Sequence, residues 1–533
     1  MIPEVNSGSR FRRWMTVKKA LISFWVVAIL ILMTCCKSSK KGEDQNESED
    51  VKKTQALDVF IVSDAVHEYY ASEDRENVYY TTFTTVGDFD TVPTTFGYDG
   101  FIYSEAFEKY QEETGVTLNI TWFEYPEYME EQLATLDKSE MPDVILNTFS
   151  TYEDYYLYME QGMFYDLSDL FEQNEIYSGG KYNNQVLQGG ELHQSQYIVP
   201  LLFNIDTIMG SEEKWKNLGL YFQNTGAHSE MLDSLIYAQK QEGIDQLILQ
   251  FLNAPSFMPY SIYLASGEQW VNYETGEVKL DVEQFRRMCI FYEQFLEEQF
   301  PMAEDGERPL WYESKHMQLK LAIQNEVQLS EFIDDIGCFV EGGGAFQVNL
   351  HSAPVQAWYF ESRYRDQNET FQIAPLVGQN GESTAHISYF GAVMSSCEYP
   401  EAAFDFLHYL MDTEVEPFFG LPIHQENLEK QFEYFTNTAY RLRPGNLRPL
   451  EDGKVADSVA DYVIQPMSQE TSEKLKDMVS NIGVATMPNW PVYAILQEQL
   501  ESYAEGKINM DVAFENALNG LKQYVETEGG LKP

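Results

Sequence analysis

The side chains best suited to chemistry in this sequence are aromatic rings and amides. Trp490 lies in Met487-Pro488-Asn489-Trp490-Pro491, and a ring held between two prolines is stiffly presented. Asn147 stands just past the apolar run Val144-Ile145-Leu146, at the strand end where open α/β sheets offer ligand contacts, and Tyr152 follows it. Asn204 closes the run Tyr197-Ile198-Val199-Pro200-Leu201-Leu202-Phe203. Tyr389 and Phe390 are neighbours in Ile387-Ser388-Tyr389-Phe390-Gly391, so the pleat of a strand turns one ring outward and the other into the core. Rings cover C–H faces and amides satisfy hydroxyls, so such groups can hold a polar molecule without breaking a bond in it. Each has a plainer alternative: helix entry for Trp490, a helix cap for Asn147, a turn for Asn204. Trp122 and Trp270 read as core residues.

Catalytic constellations are missing. The sequence contains no Gly-x-Ser-x-Gly and no His-Glu-x-x-His, and the calcium-loop spacing of an EF-hand is also absent. His193, His351 and His386 show no metal-ligand spacing. Gly342-Gly343-Gly344 is followed by no Gly-Lys-Ser/Thr, so it reads as a loop rather than a phosphate cradle. With 85 acidic residues a pair of carboxylates arises by chance, and no motif singles one out. We therefore expect no catalytic residue, no metal and no cofactor. The formal net charge of −50 repels a phosphate backbone, which argues against nucleic acid as a partner and against a basic membrane-binding face. Five cysteines in 533 residues exclude a disulfide-stapled scaffold; Cys289, Cys338 and Cys397 read as small buried apolar residues.

The elements that must position these groups alternate between strand and helix. The length allows two or more packed domains. Asp58-Val59-Phe60-Ile61-Val62 reads as a first strand, and residues 65–100 as a long inserted loop. Tyr103 to Thr114 has a helical period ending at Gly115, where a positive φ suits a C-terminus. Val116, Leu118, Ile120 and Trp122 alternate with polar residues as in a half-buried strand. A second helical period runs through Met129, Leu133 and Leu136 before the turn at Pro142-Asp143 and the next strand. Helix, strand, helix, strand in this order predicts parallel βαβ units and an α/β lobe. Further on, a helix is expected up to Gly162, a strand interrupted by Pro200, and mostly helix over 210–330. A strand and turn lead into a helix near Phe285, strands are expected at Phe371-Gln372-Ile373-Ala374-Pro375 and Ile387 to Val393, and a helix opens at Pro400. A final amphipathic helix around Asn516 to Val525 ends the chain, and no internal repeat is visible.

The N-terminus has the pattern of an export signal. Arg10, Arg12, Arg13, Lys18 and Lys19 precede an apolar run of 14 residues from Ala20 to Met33, broken only by Ser23. That is shorter than the ~20 residues a spanning helix needs. Leu32-Met33-Thr34-Cys35-Cys36 resembles a bacterial lipobox, which implies lipidation (palmitate among the acyl groups) at Cys35 or Cys36. A plain secretory signal or a signal anchor are the alternatives, and Met15 is a possible start. Residues 35–56 are almost devoid of apolar side chains and read as a disordered tether.

The order of motifs resembles the extracellular solute-binding proteins of ABC sugar importers, the family 1 group that includes maltose-binding protein. The resemblance is carried by Ala106 to Leu146 with its Pro142-Asp143 turn, by Tyr197 to Asn204, by Phe371 to Glu382, by Ile387 to Asp412, and by Met487 to Ala494. It implies a two-lobed periplasmic-binding-protein-like fold of type II. One lobe would comprise residues 57–204 plus about 386–435, the other about 205–385 plus 436–533, behind a signal peptide at 1–34. It further implies a lipid-anchored, extracytoplasmic, monomeric receptor that binds a carbohydrate in an interlobe cleft and delivers it to ABC permease subunits. An aromatic near Trp358 stacks on sugar in the family, although Trp358 also suits a lobe core. The ligand-binding set expected is Asn147, Tyr152, Asn204, Trp358, Tyr389 and Trp490. The chain departs from the family after Asn204, where it reads Ile205-Asp206-Thr207-Ile208-Met209 instead of an aromatic pair with Asn-Lys, and in the 65–100 insert. A surface glycoside hydrolase and a surface sensor or adhesin that feeds no permease are the rival functions.

Overall fold

The computed structural model describes residues 56–62, 82–85, 91–92, 103–123, 155–220, 228–239, 248–250, 270–299, 346–349, 353–443 and 462–527 apart from isolated positions, together with parts of 129–148 and 262–266. Residues 1–55, where an export signal and a lipobox are expected, lie outside these residues, as do Tyr152, Cys338 and His351.

The first strand, β1 (Ala56–Val62), buries Leu57, Val59 and Ile61 completely. It pairs in parallel with β2 (Thr117–Phe123) on one side and β3 (Val144–Thr148) on the other. Between β1 and β2 in sequence runs helix α1 (Ser104–Thr114), which ends at Gly115 with φ 73° and a backbone bond from Gly115 N to Gln111 O of 2.9 Å. Its Phe107 and Tyr110 rings meet Phe406 at 5.5 and 5.1 Å between centroids. Phe406 belongs to a helix over Pro400–Asp412, whose buried face is Ala403, Phe404, Phe406, Leu407, Leu410 and Met411.

Three more strands complete this side of the sheet. They are β4 (Ile198–Ile205), buried at every position, a long β9 (Ser383–Val393), and a short β10 (Leu421–Pro422). The order is β10-β4-β9-β3-β1-β2, with β11 (Ile482–Thr486) beside β9. A second sheet has the order β6-β7-β5-β8, formed by β6 (Ile248–Gln250), β7 (Phe346–Asn349), β5 (Thr207–Ser211) and β8 (Phe371–Pro375).

The two sheets are joined by strands that pass from one to the other. Only Asp206 separates β4 in the first sheet from β5 in the second. The return runs from β8 through a turn, in which Gly378 N bonds Glu382 O at 2.8 Å, into β9. Strand β9 changes neighbours along its length: Ser383 to His386 pair with β11, and from Ile387 onward the strand pairs with β4 and β3. The buried apolar residues are contiguous from the first sheet through the crossing strands to the second.

Two expectations are corrected. Part of the 65–100 insert is strand: Thr82–Thr85 pairs with Thr91–Val92 and with Tyr440–Arg443, which pairs with Tyr462–Ile464. The β-branched threonines suit that geometry, but the partner lies more than 350 residues away, beyond any local pattern. Pro200 does not interrupt its strand. It sits within β4 opposite Phe390, and the register shifts fall on β9 between Ile387 and Phe390. Over 210–330 the described residues include the helices His228–Gln239 and Val282–Gln299 as well as β6 and a small hairpin at 271–278. Among the described residues no helix is long and apolar enough to cross a membrane.

Candidate functional site

The C-terminal end of β3 and the strand beside it gather the polar groups that the sequence singles out. Asn147, only 1% exposed, lies opposite Phe390 on β9, and Thr148 lies opposite Tyr389. The Asn147 amide nitrogen donates to the hydroxyl of Tyr155, the first residue of helix α2 (Tyr155–Glu160). Its amide oxygen, Oδ1, meets no hydrogen-bond partner among the described residues. The Tyr155 ring stands edge-on to Phe390 at 4.7 Å, so the core-facing ring of β9 orients the residue that holds Asn147. Tyr389, on the opposite face from Phe390, is only partly buried, as strand alternation predicts. The Ser388 hydroxyl beside it is buried with no hydrogen-bond partner among the described residues. Tyr103 is fully buried, and burial pushes its hydroxyl far above the ordinary tyrosine range, with Tyr389 adding to the effect. The Tyr103 phenol therefore stays neutral and acts as a hydrogen-bond donor and acceptor, not as a base.

Two further segments reach this end of the sheet. Met487 N donates to the Tyr156 hydroxyl at 3.2 Å, which ties the Met487 turn to α2. The turn enters a helix over Trp490–Ala504, capped by Asn489, whose side chain accepts from Val492 N at 3.0 Å, with Pro491 in the first turn. Trp490 is thus the first helical residue, the alternative its flanking prolines left open. Asn204 is buried near the end of β4, and its Oδ1 lies 3.4 Å from where a Cβ on Gly420 would stand. Gly420 has φ 124°, a conformation that suits glycine.

Trp358 is set apart from this group. It lies within a helix over Ala353–Asp366, is 1% exposed, and packs on Phe435 with ring centroids 5.3 Å apart. Its ring is interior in this conformation, which is the core role its position left open. Trp270 is also interior, edge-on to Tyr263 at 5.2 Å. Of the expected set, the structure places Asn147 and Tyr389 at the same end of the sheet but on opposite faces, brings the turn bearing Trp490 against α2, and leaves Trp358 elsewhere.

Beneath this edge, at the junction of the sheets, Asp206 and His386 form a buried pair. His386 Nε2 stands 2.8 Å from Asp206 Oδ2. The two residues are 5% and 1% exposed respectively. Burial pushes the Asp206 carboxyl up, and His386 pulls in the opposite direction. The sequence assigns no role to Tyr103, Tyr155 or Ser388, and shows Asp206 only in a departure from the family pattern and His386 only as a histidine without metal-ligand spacing. For Ser388 and Tyr155 the strand and helix periods were a usable signal, whereas for Asp206 there was none. Among the described residues no group of three or more His, Cys, Asp or Glu is arranged to hold a metal ion.

No protein-family model and no curated protein matches the chain. Solved structures do. A candidate oligosaccharide periplasmic-binding protein from Synechococcus sp. MITs9220, in complex with zinc, aligns at a TM-score of 0.50 and 12% identity, over 89% of this chain and 100% of that one. A second structure of that protein gives 0.50 and 12%, over 88% and 99%. The fold is that of the periplasmic-type solute-binding proteins. The sugar-binding protein MalE from Xanthomonas citri is similar at a TM-score of 0.48 and 13% identity, over 89% of this chain and 98% of that one.

Proposed function

We propose that this chain is a lipid-anchored extracytoplasmic receptor that binds a carbohydrate between two lobes and delivers it to an ABC permease, with no catalysis of its own. The observation that carries this reading is the pair of α/β sheets joined through a one-residue junction, with neutral hydrogen-bonding side chains gathered at the adjoining end of β3. Neutral amides, hydroxyls and phenols are the groups that pair with sugar hydroxyls, and a partly buried ring such as Tyr389 suits a sugar face. The solved oligosaccharide-binding relative with the same fold supports the substrate class.

In this reading Asn147 and Tyr389 contact the ligand from the first lobe, Asn204 lies at the hinge, and Tyr152 and Trp490 reach the same cleft. The lobes would comprise 57–204 plus about 386–435, and about 205–385 plus 436–533. Ligand contact with both lobes would favour the closed state, and closure is what a permease would sense. Lipidation at Cys35 or Cys36, with residues 35–56 as tether, would hold the receptor beside the permease and raise its effective concentration there.

The test is a thermal-shift screen of the full-length protein in detergent against glucose, maltotriose, cellotriose, xylotriose and mannotriose. A ligand present at a hundred times its Kd stabilises by about 2.7 kcal/mol and raises the Tm. No shift from any sugar, or release of reducing ends on incubation, would count against the reading. Palmitate labelling that disappears in the Cys35→Ala/Cys36→Ala variant tests the anchor separately.

A further inference from the structure

The Asp206–His386 pair occupies the one height at which the crossing segments converge. Asp206 is the sole residue between β4 and β5. Its carbonyl oxygen accepts the Leu376 N–H at 2.9 Å, which ties the outgoing crossing to the returning one just past β8. Its carboxylate reaches His386 at 2.8 Å. His386 is the last residue of β9 paired with β11, opposite Thr486, and the next residue, Ile387, is the first paired with β4. Backbone and side chain of one residue therefore grip both strands that pass between the sheets, where the third neighbour, β11, ends its pairing.

Among the described strands around it, the pair meets no further charge. No charged residue occurs in Ile198–Ile205, Phe371–Pro375 or Ile482–Thr486, the strands that surround it. Along β9 the nearest ionisable side chains are Glu382, whose Oε2 accepts from Asn380 N at 2.8 Å, and Tyr389. A buried carboxylate and imidazole are costly to desolvate, and an apolar pair of the same volume would pack the junction at lower cost. The return for that cost is geometric: a short charge-assisted bond has one length and one direction, whereas apolar contacts slide.

We infer that Asp206 and His386 act as a positioning clamp that fixes the angle between the two sheets and so sets the balance between open and closed forms. The two side chains bond each other across the crossing strands, so the clamp acts on binding through that balance. Its consequence for binding rests on the receptor reading above, but its mechanical role does not, and the two are tested apart.

The experiment is hydrogen–deuterium exchange on the full-length protein without ligand, resolved to the peptides spanning Thr207, Leu376 and Ile387, with the β1 amides of Val59 and Ile61 as an internal control. Asp206→Leu and His386→Leu should each speed exchange at the crossing amides by about ten-fold or more while the β1 amides hold their wild-type rates. The double variant should exchange no faster than either single one, because both remove the same bond. His386→Gln, whose amide nitrogen can occupy the place of Nε2, should return the crossing amides close to wild type; a volume-filling role alone would not distinguish Gln from Leu in this way. Wild-type exchange in both single variants, equal acceleration of the β1 amides, additive effects in the double variant, or a Gln variant as fast as the Leu variant would each overturn the inference. Because no sugar is present, these results stand or fall independently of the thermal-shift screen.

Discussion

At the scale of single residues, enclosure decides what a side chain can do. Trp358 carries the ring that a sugar-binding reading favours, yet it is sealed against Phe435. Trp358→Ala should lower unfolding stability by about 3–5 kcal/mol, read as a shift in the urea midpoint, the cost of emptying a packed aromatic site; a ring exposed for stacking would cost far less. His228 makes a second case. It is fully buried, and Nδ1 stands 2.8 Å from the Val377 carbonyl oxygen, so that nitrogen carries the proton and donates. Burial pushes its pKa down from 6.5 to about 4, with the Val377 bond opposing. Between those values the unfolded chain binds more protons than the folded one. The stability that neutral His228 contributes is complete above pH 6.5, declines as pH falls, and is gone below pH 4. The total is about 3 kcal/mol. Comparing urea midpoints of wild type and His228→Gln across pH 7.5 to 4 should show a shallower decline in the variant.

At the scale of elements, the sheet that carries Asn147 and Tyr389 depends on a strand with no room to spare. Gly391 lies on β9 between β3 and β4, and a Cβ there would stand 2.3 Å from Leu407 Cδ2 and 2.9 Å from Leu146 Cδ2. Gly391→Ala should destabilise by about 1–3 kcal/mol through overpacking, measured by thermal unfolding. The same strain should displace β3, whose last residues hold the candidate site, so weakened ligand binding should accompany the lost stability.

At the scale of the whole molecule, charge dominates. A net charge of −50 on one chain is self-repulsive, and repulsion is greatest in the compact state. Raising NaCl from 0.02 to 0.5 M shortens the screening length from roughly 20 Å to below 5 Å. The Tm should therefore rise with salt, by several degrees in differential scanning fluorimetry, even with no ligand present. A flat or falling Tm would mean that favourable ion pairs such as Lys181–Asp412 outweigh the general repulsion.

The sequence by itself determined the local elements of the first sheet. The alternation of Leu57, Val59 and Ile61, the helix ending at Gly115, and the opening of a helix at Pro400 are short-range patterns with short-range causes. It also carried Asn147 and Tyr389, because strand ends and pleat alternation follow from spacing alone. Only the tertiary structure decided that Trp358 faces inward, that the 82–92 strands join 440–464, and that Asp206 meets His386 across 180 residues. The physical reason is the same in each case: which side of an element is covered, and by what, depends on partners brought together by chain crossings, and no periodicity within a window of residues encodes a crossing.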